Sequence, residues 1–188
     1  MKKLLFTIFV LFMAVTLTQA QDKGKFAIGV GGEVAIASGD AADAADIGTG
    51  FGGTARVEYG FSNKLIGFAD VGYLLWPGEE SSMSGTTFKW DWSAIVVLGG
   101  VKYFFNKGLY AFAQAGIHSF TFDVEVTPSN PYFNGGSSSE SKFGFGAGLG
   151  YELMVGKTMK LDLSAKYQLA ATDFNYIGIR AGLKFPLK

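Results

Sequence analysis

An all-β chain closed into an antiparallel, up-and-down barrel of eight strands that spans a membrane is the architecture predicted by three observations. Apolar and polar residues alternate with period two in eight segments, the pattern of strands rather than helices. Most of the segments run to about ten residues or more, longer than the usual strand of a soluble sheet and near the roughly 9–11 that cross a bilayer at a tilt. The polar phase is rich in glycine and carries both signs of charge in near balance, as the narrow interior of a small barrel requires. The 188-residue chain has 27 glycines, 15% aromatic residues, and 16 Lys+Arg against 16 Asp+Glu. Zero formal charge excludes the clustered basic excess of a nucleic-acid-binding domain. The absence of cysteine excludes disulfides, thiolate metal sites and catalytic thiols.

The first twenty residues read as an export signal. Met1-Lys2-Lys3 is a basic start, Leu4 to Leu17 is an apolar or small run, and Thr18-Gln19-Ala20 places small residues ahead of a cut before Gln21. The run is shorter than the roughly 20 residues of a spanning helix. Residues 1–20 are expected to be a cleaved signal peptide, and residues 21–188 a single barrel domain.

The strands follow in order. Residues 25–36 alternate Phe26, Ile28, Val30, Val34 and Ile36 with Ala27, Gly29, Gly31 and Glu33. Residues 51–61 set Ala55, Val57, Tyr59 and Phe61 against Thr54, Arg56 and Glu58, and residues 65–76 set Leu65, Ala69, Val71, Tyr73 and Leu75 against Asp70. Residues 88–104 place Trp90, Trp92, Ala94, Val96 and Leu98 opposite Asp91 and Ser93, with a phase that blurs around Lys102 as at a bulge. Residues 109–126 oppose Leu109, Ala111, Ala113, Ala115 and Ile117 to Gln114 and His118. The last three segments are the clearest. Phe143, Phe145, Ala147, Leu149, Tyr151 and Leu153 alternate with four glycines and Glu152. Met159, Leu161, Leu163, Ala165, Tyr167 and Leu169 alternate with Lys160, Asp162, Ser164, Lys166 and Gln168. Ile177, Ile179, Ala181, Leu183 and Phe185 alternate with Gly178, Arg180, Gly182 and Lys184.

Short connections at 61–64, 105–108 and 155–158 alternate with longer ones at 37–50, 77–87 and 127–141 and a brief one near 170–175. Tight turns at one end and loops at the other fit a meander. Two faces then remain to be assigned. With lipid outside, Glu33, Glu58, Asp70, Glu152 and Asp162 would pair with Arg56, Lys160, Lys166, Arg180 and Lys184 in the lumen, five against five. Aromatic girdles would mark the interfaces: Trp76, Phe88, Trp90 and Trp92 toward the loop end, and Tyr59, Phe61, Tyr103, Phe104, Tyr151 and Phe185 toward the turn end. With water outside, the chain would be a secreted, lipocalin-like carrier with an apolar interior.

The signal peptide, the eight alternating strands, the run Phe-Gly-Phe-Gly-Ala-Gly-Leu-Gly-Tyr ending at Tyr151, and the closing Tyr-Ile-Gly-Ile-Arg-Ala-Gly-Leu-Lys-Phe ending at Phe185 resemble the small outer-membrane β-barrels of the OmpA/OmpX type. The resemblance covers residues 25–188 and implies an outer-membrane location with insertion by the barrel-assembly machinery. Many such chains end on an aromatic residue, whereas here Pro186-Leu187-Lys188 follows Phe185. The expected surroundings are outer-membrane lipid and lipopolysaccharide, with no nucleic acid, no cofactor and a monomeric state.

Enzymatic patterns do not match. His118 is the lone imidazole, and adjacent strand residues point to opposite faces, so Ser119 is not placed as its nucleophile. Lipid A deacylase barrels imply His-x-Ser and omptin-type proteases Asp-x-His, whereas His118 is followed by Ser119-Phe120 and preceded at two residues by Gly116. Asp40, Asp43 and Asp46 lack the alternating ligands and closing Glu of an EF-hand, so a solvated loop is expected there. The expected role is structural or surface-interacting, with Tyr132 and Phe133 in loop 127–141 as the contact point. The alternative is a narrow pore or a conduit for a small apolar ligand.

Overall fold

The computed structural model describes residues 23–40, 42, 47–83, 86–127, 135–156, 158–170 and 174–187. Its strands are β1 Phe26–Ser38, β2 Thr49–Gly60, β3 Leu65–Met83, β4 Thr86–Phe104, β5 Leu109–Thr127, β6 Gly136–Val155, β7 Met159–Leu169 and β8 Asn175–Pro186. Each pairs antiparallel with the next, and β8 returns to β1 to close the barrel. The seam runs in register from Ala27 opposite Pro186 to Ser38 opposite Asn175. Closure is what hydrocarbon demands of a sheet, because an open edge would leave backbone groups without a partner. The expected leader, residues 1–20, lies outside the described residues.

The apolar phase lies outside. Val30, Phe51, Val71, Ile95, Phe145 and Ile179 are each more than half exposed, while Glu33, Arg56, Asp70, Glu152 and Arg180 on the same strands are buried. The soluble carrier with an apolar interior is thereby overturned. In water this wall would form an apolar surface beyond the few hundred Å² that soluble proteins tolerate.

Strand β4 runs in the phase opposite to the expected one. Ala94, Val96 and Leu98 are buried inside, and Ile95, Val97, Val101 and Tyr103 face out. Both faces of this segment are apolar, so alternation left its phase to Asp91 and Ser93 near the loop end. The charge of Lys102, in phase with Ala94, Val96 and Leu98, turns that row inward. Nor does a bulge lie at Lys102, since the pairing with β3 and β5 passes it unbroken. The break falls between Pro77 and Glu80. Proline brings no N–H to the ladder there, and the Gly78 N–H donates instead to Asp91 Oδ1 at 3.3 Å.

The wall is uneven in height. Strands β3, β4 and β5 have 19 residues each and β6 has 20. Strands β1, β2, β7 and β8 have 13, 12, 11 and 12. Two of the expected loops, 77–87 and 127–141, are accordingly strand in large part, since β3 reaches Met83, β4 starts at Thr86 and β6 starts at Gly136. Hydroxyl side chains that read as loop residues pair across these extensions. Ser82 and Thr87 hydroxyls lie 2.9 Å apart, Thr121 and Ser139 3.0 Å, and the Ser141 hydroxyl donates to Ser119 at 3.1 Å. The short turns close as expected. Ser62 Oγ accepts from the Leu65 N–H at 3.0 Å, and Asn106 Oδ1 from the Leu109 N–H at 3.1 Å.

Candidate functional site: the barrel interior

Six strands, β2, β3, β4, β6, β7 and β8, place ionic side chains in one network in the lumen. Arg56 on β2 stands directly opposite Asp70 on β3. Its guanidinium grips that carboxylate with a fork, Nε to Oδ1 and Nη2 to Oδ2 both at 2.6 Å. The remaining Nη1 reaches Asp162 Oδ2 at 3.3 Å, and the guanidinium carbon lies 4.5 Å from the centre of the Phe68 ring. Glu152 on β6 and Asp162 on β7 are cross-strand neighbours, a like-charge pair that needs a cation between. Lys102 from the far wall supplies it. Its ammonium lies 2.6 Å from Glu58 Oε1, 2.7 Å from Asp162 Oδ2 and 3.5 Å from Glu152 Oε1.

The mirror problem arises between Lys160 and Lys184, which face each other on β7 and β8. Glu152 bridges them: Lys184 pairs with one of its oxygens, and Lys160 lies 3.5 Å from the other. Lys184 also meets Glu58 Oε2 at 2.8 Å. Asp162 is the hub. Beyond Arg56 and Lys102 it accepts a hydrogen bond from the Tyr110 hydroxyl and lies 3.6 Å from Arg180 Nη1. Arg180 Nε donates to Thr54 Oγ1 at 2.7 Å. Nearer the loop end, Lys166 meets Glu33 Oε1 at 2.7 Å, and Gln114 donates to Gln168 Oε1 at 2.7 Å.

Glycine makes this crowding possible. A Cβ at Gly178 would lie 2.6 Å from Glu33 Oε1 and from Lys166 Cε, and one at Gly182 would lie 2.7 Å from the Arg180 guanidinium. At Gly148 and Gly150 it would strike the rings of Phe112 and Tyr110. The glycine rows are therefore the space into which long side chains of neighbouring strands lean.

All ten sequence-expected ionic residues lie on the inward face. Lys102 is an addition, wholly buried, and makes six cations against five carboxylates. Its signal was parity with Leu98 and Gly100, masked by the misassigned phase of β4. Tyr110 was equally legible as the residue in phase with Gln114 and His118. Glu58, Glu152 and Asp162 bring carboxylate oxygens within 4.8 Å of one another, the spacing of a cation site. The Lys102 ammonium already lies within bonding distance of Glu58 and Asp162.

Above the main ionic level, beside the Lys166–Glu33 pair and the buried Gln114, Gln168 and His118, the interior is largely apolar. Leu74, Trp76, Val96, Phe120, Phe174 and Tyr176 form a buried cluster toward the loop end. Trp76 was expected in the loop-end girdle, yet it is 1% exposed. Its indole N–H donates to the Ala35 carbonyl at 3.0 Å, and its ring stands edge-on to Phe174 and Tyr176. It falls on the inward row of β3 with Asp70 and Leu74. Trp92, opposite Trp76, packs against the same cluster, and Trp90 is partly buried in phase with it. These three are corrections to the girdle, as is Phe104, buried beside Tyr110 at 5.1 Å. The exposed aromatics of the loop end are instead Phe51, Tyr73, Phe143, Phe145 and Tyr167. At the turn end, Phe61, Tyr103 and Phe185 are exposed on the outer wall, and Tyr59 and Tyr151 are partly so.

His118 and Ser119 point to opposite sides, as strand geometry requires. His118 is fully buried and lies parallel to Phe120 at 6.0 Å, while Ser119 bonds Ser141 on the outer side. Of the acidic loop, Asp40 is exposed, and Asp43 and Asp46 lie outside the described residues, as do Tyr132 and Phe133.

The description "Outer membrane protein beta-barrel domain" matches residues 7–186. The chain belongs to that family. Three solved structures show how widely this outer-membrane barrel shares its fold. Ail, the attachment invasion locus protein of Yersinia pestis in complex with the heparin analogue sucrose octasulfate, aligns at 16% identity with a TM-score of 0.61, over 88% of this chain and 99% of that one. Neisserial surface protein A aligns at 19% identity with a TM-score of 0.52, over 85% and 96%. The outer membrane protein OprG from Pseudomonas aeruginosa aligns at 11% identity with a TM-score of 0.51, over 91% and 99%. No curated protein sequence matches the chain. At these identities the likeness is one of fold.

Proposed function

We propose that this outer-membrane barrel is a closed, non-enzymatic protein of the cell surface, monomeric in lipid and lipopolysaccharide, rather than a conducting pore. One observation carries the reading: the space enclosed by Gly29, Arg56, Glu58, Asp162, Arg180 and Lys184 leaves no room for a water molecule. An ion crossing this level would have to break several buried pairs at once, each flanked by others that hold it in place. The apolar cluster around Trp76 and Phe174 adds a second stopper above. With the lumen shut, what the molecule offers is its outer wall and the tall rim of β3 to β6. Delivery would run through export by the leader at residues 1–20 and the barrel-assembly machinery.

Planar bilayers containing the purified barrel test this directly. The expected record is a flat baseline without steady steps. Sustained conductance whose ion selectivity changes in Asp162→Asn would overturn the closed-lumen reading and favour the narrow pore.

A further inference from the structure

The polarity of the wall inverts part-way up β4, β5 and β6. On the outward face the row of Val97, Ile117 and Phe143 is apolar, and the next row, Ile95 with Ser119 and Ser141, begins the change. Above it stand Ser93, Asp91 and Lys89 on β4, and Thr121, Asp123 and Glu125 on β5. That face has left hydrocarbon for water. The inward face changes the other way. Phe88, Trp90 and Trp92 on β4 lie opposite Val126, Val124 and Phe122 on β5, with no break in the pairing. All six are in phase with the lumen-facing Ala94, Val96 and Phe120, and all six are only partly buried. The short half of the barrel pairs no higher than Leu75 on β3 and Phe145 on β6, so this apolar shelf rises beside the mouth.

Length, hydrogen bonding and charge describe what fits it. From Phe88 to Trp92 the shelf runs about 13 Å along the strand, the span of four extended residues. The Trp92 indole N–H is shut off from solvent and has no acceptor among the described residues, so it is a donor for a carbonyl oxygen. Around the shelf Asp40, Asp91, Asp123, Glu125 and Glu140 outnumber Lys89 and Lys142, each of which already pairs with a carboxylate. Indole faces also attract cations. We propose that the shelf binds an extended basic peptide segment of another protein, its apolar side chains against Trp90 and Phe122 and its lysines or arginines toward the carboxylates. The inference rests on the reading of this barrel as a cell-surface protein and names the chemistry of its partner. A second copy of this chain fits less well, because it would bring its own acidic rim against this one.

Fluorescence anisotropy of labelled pentapeptides reads the site, with the full barrel in phosphatidylcholine nanodiscs and empty nanodiscs as the blank. Lys-Phe-Lys-Phe-Lys is expected to bind saturably, and Glu-Phe-Glu-Phe-Glu and Lys-Ser-Lys-Ser-Lys not to bind at the same concentrations. Trp90→Ala should weaken binding about tenfold, as the loss of an aromatic anchor does. Asp123→Asn should weaken it about threefold, an effect that high salt erases. Val124→Lys, which sets a cation opposite Trp90, is the second shelf variant and should abolish binding. Heat-modifiable migration on a gel establishes that each variant is closed. No saturable binding of the basic peptide, equal affinity for the acidic one, wild-type affinity in both shelf variants, or a dimer that buries the shelf would each overturn the proposal. So would a sole tryptophan at position 90 (Trp76→Phe, Trp92→Phe) that acrylamide fails to quench in the free barrel, since the protein's own chain would then cover the shelf. None of these outcomes depends on whether the lumen conducts.

Discussion

Asp162 sits where four strands meet. It is met by Arg56 from β2, Lys102 from β4, Tyr110 from β5 and Arg180 from β8. Replacing it with Asn keeps the volume and removes the charge, leaving the cations around it short of a counter-ion. Breaking one side of a buried ion pair costs about 3–5 kcal/mol. Urea unfolding of the vesicle-reconstituted barrel should register Asp162→Asn as a loss of that order. Trp76 gives a second test at this scale, because its burial contradicts the girdle position that its place at a strand end suggests. In single-tryptophan variants, brominated acyl chains should leave Trp76 emission unquenched and quench a tryptophan placed at Tyr73. The ten ionic residues were legible because a charge in a strand that crosses lipid has one tolerable direction. Lys102 and Trp76 were not, since an apolar residue has no such constraint and Lys102 lay on a strand whose two faces are both apolar.

At the scale of elements, the number and order of strands were readable throughout, and so were the tight turns. What escaped was strand length. Serine, threonine and glycine signal loops through their local bonds to the backbone, and the sequence offers nothing local to show that Ser82 will meet Thr87, or Ser139 meet Thr121. Those encounters are made by the partner strand. The β3–β4 hairpin beyond the Pro77 bulge rests on such pairs, with a salt bridge of 2.9 Å between Lys89 and Asp91 at its flank. Exposed pairs of this kind contribute about 1 kcal/mol or less each. Replacing residues 80–87 by a two-residue turn should therefore leave heat-modifiable migration intact and shift the urea midpoint only slightly. A variant that failed to close would mean that the extension helps to set the register of the barrel below it.

Across the whole molecule, charge is sorted along the axis. The loop end carries Asp40, Asp91, Asp123, Glu125 and Glu140 against Lys89 and Lys142, each of which pairs with a carboxylate on its own strand. The turn end carries exposed lysines. Ail shares the fold and was solved with a heparin analogue, but an acidic rim repels a polysulfate. Calorimetric titration of the reconstituted barrel with sucrose octasulfate should show no binding at moderate ionic strength. Measurable affinity would mean that Lys89 and Lys142 leave their carboxylate partners to hold the sulfates. The membrane-facing direction of the wall was legible from glycine and paired charge together. The axial sorting emerges only when the topology assigns each connection to an end.

Assembly inherits a condition from the way the lumen is wired. Before β8 arrives, the ring holds five carboxylates and only four cations, Arg56, Lys102, Lys160 and Lys166, and β8 brings Arg180 and Lys184. The final strand is thus a keystone in electrostatic terms as well as in hydrogen bonding. A nascent chain lacking it would hold a surplus acid in an unsealed gutter, and hydrocarbon penalises that state until the seam zips shut.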